Sequence, residues 1–302
     1  MTLKIVIDFD GTLTAEEEQA GPLAERSLDT LASELLDLPR AALAATYQDT
    51  RERLLAAPHR YWWDVNGLVA SYCDEGAFIL NTTTLQTMLG DLLAEEPDLA
   101  RRLRAALPHA EYGVVADTTN YLFHRHTAEF PPLFRPGARE VLDALLVRSD
   151  WQPMVLTNSL GDKVARLLGT LDLPRALPIL GDTRQYEMVA DWVPPFLPNA
   201  SEAWRWHVDA LHTIDLRRPA YYRALEQAAA AGAHLAVVAD TLSLPGALPL
   251  AMGIPFFLLR TPYTPEWCHR AVRAHPVGVV IEDLCDLPEA LEALTIPTQN
   301  VS

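Results

Sequence analysis

The residues Asp8-Phe9-Asp10-Gly11-Thr12 place two carboxylates, a glycine and a hydroxyl directly after an apolar run, Leu3 to Ile7. Standing alone, such a segment is a polar turn, because Asp and Gly favour turns. Two later segments end in the same manner. Pro153-Met154-Val155-Leu156 leads into Thr157-Asn158-Ser159, and His234 to Ala239 leads into Asp240. Each run has the apolar character of a buried strand. In an open parallel sheet, ligands bind beyond the carboxyl ends of the strands. If these strands are neighbours, three carboxylates and a hydroxyl meet at one edge. Carboxylates gathered this way repel unless a cation or a shared proton intervenes. Oxygen ligands select a hard ion, and Mg2+ suits one or two carboxylates together with phosphate and water. Thr157 and Asn158 by themselves would equally well cap the next helix.

The elements that must position these residues follow from the apolar pattern. Ile5-Val6-Ile7 is a β-branched run suited to a strand buried on both faces. From about Glu16 to Pro131 helical spacing takes over, at Leu23 to Leu36, Arg40 to Ala57, Thr84 to Glu95 and Asp98 to Leu107. Pro22, Pro39, Pro97 and Pro108 stand where these helices are expected to end. Aromatic clusters occur at Tyr61-Trp62-Trp63 and near Tyr121 and Phe123. After Phe134-Arg135-Pro136-Gly137 strands and helices alternate to the end, which implies right-handed parallel βαβ units. The expected fold is α/β: a Rossmann-like parallel sheet core formed by residues 1–14 and 133–302, with an inserted helical domain at 15–132. Residues 177–216 are too long for an ordinary connection and suggest a β-hairpin excursion from the core, with β-like pieces at Ile179 to Val189 and Val208 to Ile214.

Taken in order, these segments resemble the haloacid dehalogenase-like (HAD) hydrolase superfamily. Asp8-Phe9-Asp10-Gly11-Thr12-Leu13 resembles its first motif, Val155-Leu156-Thr157-Asn158 its second, and Val237-Val238-Ala239-Asp240 the start of its fourth. The helical insertion resembles the C1 cap of phosphatase-like members. The resemblance implies that Asp8 attacks phosphorus and forms an aspartyl-phosphate. Asp10 would protonate the leaving oxygen and then deprotonate water. Thr157 would hydrogen-bond the phosphoryl group. The backbone at Gly11 and Thr12 would approach the phosphate, with Asn158 beside it. Asp8, the Asp10 carbonyl and Asp240 would hold Mg2+.

Two positions depart from that pattern. The family's third motif is a lysine, and Arg217-Arg218-Pro219-Ala220-Tyr221-Tyr222 places Arg218 there. A guanidinium is planar and bulkier, so the exchange is not conservative. Lys4 and Lys163 are the only lysines in the chain. Lys163, early in the helix after Thr157, is therefore a second candidate for phosphate binding. The plain readings are a surface arginine and an exposed helix lysine. The family's fourth motif also carries a second acid four or five residues after the first; here Leu244 and Pro245 occupy those places, and Ser243 is the nearest polar side chain.

The net charge of −16 argues against non-specific nucleic-acid binding. No leader-like segment opens the chain, and no apolar stretch approaches the length of a membrane span. Cys73, Cys268 and Cys285 are too scattered for a zinc site or a disulfide framework. The expectation is a cytoplasmic monomer or homodimer acting on a small phosphorylated substrate as a Mg2+-dependent phosphatase. The alternatives are a catalytically weak ligand-binding or interaction protein, and a 2-haloacid dehalogenase. Asp10 argues against the dehalogenase, because a halide leaves without an acid.

Overall fold

A computed structural model describes residues 2–65, 67–107, 112–127, 129–130, 133–197, 204–229 and 233–294. Along the chain its strands are β1 (Leu3–Ile7), β2 (Trp62–Val65), β3 (Leu68–Tyr72), β4 (Trp151–Leu156), β5 (Ile179–Leu180), β6 (Arg205–His207), β7 (Thr213–Asp215), β8 (His234–Ala239), β9 (Phe256–Leu259) and β10 (Gly278–Ile281). A six-stranded sheet has the order β10-β9-β8-β1-β4-β5, and all its pairings are parallel. This is the expected Rossmann-like α/β core. β1 lies inside it, and Ile7 pairs with Val155 of β4 on one side and Val238 of β8 on the other. The three chains therefore reach their polar residues at nearly the same level.

Burial explains the order. Ile5, Val6 and Ile7 are almost fully enclosed, as a strand between two parallel neighbours must be. Ile5 and Ile7 join Val141, Leu142 and Leu145 of the helix Ala138–Val147, together with Val155 and Val238, in one core. Val6 points to the opposite face. The helix Pro219–Ala229 packs against β1 and β8 through an apolar side that includes Tyr221 and Leu225. Pro153 sits within β4 without breaking it. The β4–β5 pairing begins only at Val155, so the missing N–H falls where no partner strand lies beside it.

The chain divides into two compact units. One comprises Met1–Thr14, Phe134–Gln185 and Arg218–Ser302; the other comprises Ala15–Leu133 and Tyr186–Arg217. The second has its own core, in which Leu28, Leu31, Leu36, Met88, Leu89, Leu103 and Leu122 meet. It is not helical throughout. The aromatic segment at Trp62 and Trp63 forms an antiparallel ribbon of β2 with β3, because alternation of exposed and half-buried residues suits a strand. The excursion also divides differently from expectation. Ile179–Leu180 is the edge strand of the main sheet, and Ile179 packs on its core. The hairpin is β6 with β7, inside the second unit. Its turn is held by the Asp209 carboxylate, which accepts from the N–H groups of Leu211 and His212 at 2.8 Å each. The Tyr72 hydroxyl accepts from the Thr213 N–H at 2.8 Å and donates to the Thr213 carbonyl at 3.1 Å, tying β3 to β7. Among the described residues, no helix is long and apolar enough to cross a membrane.

Pro22 does not end a helix. It lies inside Glu16–Thr30, with Ala20, Leu23, Ala24 and Leu28 buried on one side. Burial of that face outweighs the lost hydrogen bond and the ring clash of an interior proline. Pro22 itself is exposed. Replacing it should therefore restore the hydrogen bond without disturbing packing. We expect Pro22→Ala to stabilise the protein by about 1–3 kcal/mol in urea unfolding; a lower midpoint would mean that the proline itself supports the helix.

Candidate active site

The turn after β1 is drawn tight by its own backbone. The N–H groups of Leu13 and Thr14 both donate to the Phe9 carbonyl, at 3.0 and 3.2 Å. Arg135 clamps the same loop from outside. Its N–H donates to the Leu13 carbonyl at 2.9 Å, and its guanidinium donates to the Gly11 carbonyl through Nε at 2.9 Å and Nη2 at 2.6 Å. Gly11 has φ +78°, in the left-handed region, and a Cβ there would collide with the Asp240 carboxylate, its carbon only 2.7 Å away. Only glycine satisfies both demands. Asp240, 3% exposed, thus lies directly against the first polar turn, and its Oδ1 accepts from the Thr12 hydroxyl at 3.3 Å.

Asp8 is half-buried at the end of β1, and its N–H donates to the Val238 carbonyl at 3.0 Å. Asp10 is also half-buried, and its Oδ2 accepts from the Ser159 hydroxyl at 2.7 Å. Thr157 is buried. Its Oγ1 accepts from the Ser159 N–H at 3.0 Å, which leaves the hydroxyl proton to be donated elsewhere. Its carbonyl accepts from the N–H and hydroxyl of Thr183, at 3.1 and 2.8 Å. Asn158 Oδ1 accepts from the Gln185 N–H at 2.7 Å, so this side chain also shapes the loop after β5.

Arg218 is not a surface arginine. It is 1% exposed, and its Nη1 donates to the Gln185 carbonyl at 3.2 Å. The adjacent Tyr221 is fully buried. Burial pushes its hydroxyl far above the usual tyrosine range, the nearby Asp8 carboxylate pushes it the same way, and the Arg218 guanidinium opposes both. Asp8, Arg218 and Tyr221 therefore share one electrostatic neighbourhood. Arg217 takes a different course, ion-paired with Asp215 in the second unit. Lys163 is partly exposed in the helix Gly161–Leu168 and makes no hydrogen bond or ion pair among the described residues. Leu244, at the place of the second acid in the pattern the chain resembles, is buried and apolar.

Sequence reasoning passed over three contributors. Ser159 stands within the polar triplet Thr157-Asn158-Ser159, and only the tertiary contact with Asp10 distinguishes it. Arg135 and Tyr221 carried no pattern beyond their neighbours. His124-Arg125-His126 belongs to the second unit, where His126 is 2% exposed between the Thr30 hydroxyl at 2.9 Å and Glu129 at 3.0 Å. The first of these contacts joins helix to helix, and the second ties the end of the helix to the turn that follows it.

The donor set expected for a metal is two carboxylates, Asp8 and Asp240, with the Asp10 carbonyl. All are hard oxygens on the adjacent ends of β1 and β8, a set that fits Mg2+. Among the described residues, no three His, Cys, Asp or Glu side chains form a metal-binding group. A site of two side chains and one backbone oxygen does not require one. Gly11→Ala should force the turn and Asp240 apart and cost about 1–3 kcal/mol of stability. Thermal unfolding measures this; an unchanged midpoint would contradict the close approach.

No family model matches the chain, and no curated protein matches it in sequence. Solved structures do match in fold. The HAD-hydrolase YfnB of Bacillus subtilis, determined bound to magnesium, is similar over 96% of this chain and 98% of its own, with a TM-score of 0.50 and 13% identity. A haloacid dehalogenase-like family hydrolase from Xanthomonas campestris covers 97% of this chain and 95% of its own, at a TM-score of 0.46 and 17% identity. A 2-haloacid dehalogenase from Pseudomonas syringae covers 97% and 99%, at 0.44 and 18%. With its parallel sheet and long insertion after β1, the chain has the fold of haloacid dehalogenase-like hydrolases.

Proposed function

We propose that the protein is a Mg2+-dependent phosphatase acting on a small phosphorylated metabolite, with Asp8 as nucleophile. The observation that carries this reading is the strand order β8-β1-β4, which sets Asp240, Asp8 with Asp10, and Thr157 at three adjacent strand ends. Asp8 attacks phosphorus, and a bond forms between its carboxylate oxygen and the phosphoryl group. The bond from phosphorus to the leaving oxygen breaks, and that oxygen keeps the electron pair and takes a proton from Asp10. Water then attacks phosphorus and gives its proton to the Asp10 carboxylate. The aspartyl-phosphate bond breaks, and the electron pair returns to Asp8.

Thr157 donates its hydroxyl proton to a phosphoryl oxygen. Arg218 takes the part of the family's lysine, offsetting the charge of Asp8 and phosphate from a buried position. Lys163 contributes only to attraction of the anion. Asp8, the Asp10 carbonyl and Asp240 would hold Mg2+, whose chemistry is to offset the charge between nucleophile and substrate. The Thr12 hydroxyl and the missing side chain of Gly11 keep Asp240 in place for that task.

A second reading has its own support. The buried, apolar Leu244 stands where relatives by resemblance carry an acid, which favours a catalytically weak binding protein. A halide-displacing enzyme is less favoured, because Asp10 is held by a hydrogen bond it would not need.

The full chain incubated with an aryl phosphate should release phosphate with Mg2+ and not with a chelator. Asp8→Asn should abolish release while leaving thermal unfolding intact. Retained turnover in Asp8→Asn would remove the covalent mechanism, and a folded but inactive wild type would favour the binding protein. Calorimetry should find weak Mg2+ binding to the free protein, tightened by a phosphate mimic. Leu244→Asp should tighten Mg2+ by roughly 10-fold, within the range for groups that orient metal-bound water. Tight binding in the free wild type would show that another carboxylate completes the site.

A further inference from the structure

The hydrogen bond from Ser159 to Asp10 joins the loops that follow β4 and β1. At 2.7 Å it is a well-formed hydroxyl-to-carboxyl bond. Ser159 is a fixed donor. Its N–H donates to Thr157 Oγ1 at 3.0 Å, and its carbonyl accepts from the Asp182 N–H at 2.9 Å. The backbone behind it is packed without space. A Cβ at Gly181 would fall 2.8 Å from the Ser159 carbonyl oxygen and 2.6 Å from Gly161 Cα, closer than real atoms approach. Asp182, the next residue, is held at a positive φ of 50°. Helix capping does not account for the serine hydroxyl, because the helix Gly161–Leu168 has no side-chain cap. Among the described residues the hydroxyl's partner is Asp10.

We propose that Ser159 is a positioning residue that fixes the Asp10 carboxyl for proton transfer. This rests on the phosphatase reading and adds a residue to it. A carboxyl group acting as acid and then as base must present one oxygen to the leaving group and later to water. With Oδ2 engaged by Ser159, Oδ1 is the oxygen that carries the proton. In the first step Oδ1 gives its proton to the departing oxygen as the phosphorus bond breaks. In the second step Oδ1 recovers a proton from water. The Ser159 hydroxyl donates to Oδ2 throughout and is itself unchanged. Free rotation of the Asp10 side chain would misplace that proton, and general acid–base catalysis falls steeply when the donor is out of reach.

The test uses the dependence on leaving group. An alkyl phosphate such as glycerol phosphate expels a strongly basic oxygen and needs the acid. A nitrophenyl phosphate expels a stable phenolate and needs it little. The ratio kcat/KM reports steps up to formation of the aspartyl-phosphate, so the later role of Asp10 as base does not enter. The full chain with Mg2+ is assayed as wild type, Ser159→Ala, Ser159→Thr and Ser159→Val, with thermal unfolding of each. Thr and Val have nearly the same shape, and only Thr keeps the hydroxyl. We expect Ala and Val to lower kcat/KM for the alkyl ester by roughly 10- to 100-fold, a part of what a general acid contributes. The loss with the nitrophenyl ester should be about 10-fold smaller, and Thr should recover most of the alkyl activity. Equal losses on both esters, or Thr and Val behaving alike, would overturn the positioning role while leaving the phosphatase reading intact. A folded wild type inactive on both esters would overturn the reading and the role together.

Discussion

The carboxylate of Asp240 and the turn at Gly11 come so close that no side chain fits between them. The arrangement around the sheet edge follows from that approach. β8 and β1 must be direct neighbours, the turn must adopt a left-handed residue, and its carbonyl must be held from behind, as Arg135 holds it. Carboxylates brought together on adjacent strands repel across a poorly solvated gap. Arg218 supplies a fixed positive charge from within the protein, and buried charges of this kind persist only when opposed and hydrogen-bonded.

The parallel sheet makes such an edge possible. β1 and β8 are enclosed on both faces and β4 on one, so these strands have little freedom to shift against one another. Register carries this rigidity to the polar ends: Ile7 opposite Val155 and Val238 brings the following residues level. The inserted unit has a separate helical core and a pair of ribbons bridged by Tyr72 and Thr213, so its packing is self-sufficient. A chain can carry so long an insertion after its first strand because both ends of the insertion leave the core within one β-bridge, Thr14 with Phe134.

Two replacements define how this site differs from the pattern it resembles. A guanidinium in place of an ammonium brings planar, fixed geometry and cannot release its proton, so Arg218 acts by charge and hydrogen bonding alone. An apolar residue at Leu244 withdraws one anion from the edge. Only the second changes the charge, because arginine and lysine are both cations; without an acid at Leu244 the edge carries one negative charge fewer.

The apolar runs ending in Asp8, Thr157 and Asp240 were legible because strands buried on both faces tolerate few polar residues before their ends. The parallel core followed from their alternation with helices. Tertiary structure decided the rest. Pro22 sits inside a helix because a buried face elsewhere on that helix outweighs its cost, and local propensity contains no such information. The ribbon at Trp62 and the hairpin at Arg205–His207 belong to the inserted unit because of contacts between segments far apart in the chain. Whether Arg218 is a surface residue or a buried cation depends on what covers it, and residue type does not report that. Ser159 reaches Asp10 across 149 positions of sequence, a distance over which no spacing rule operates. Strand ends are written in local hydrophobic pattern; the partners they meet are set by register and packing, which exist only once the chain is folded.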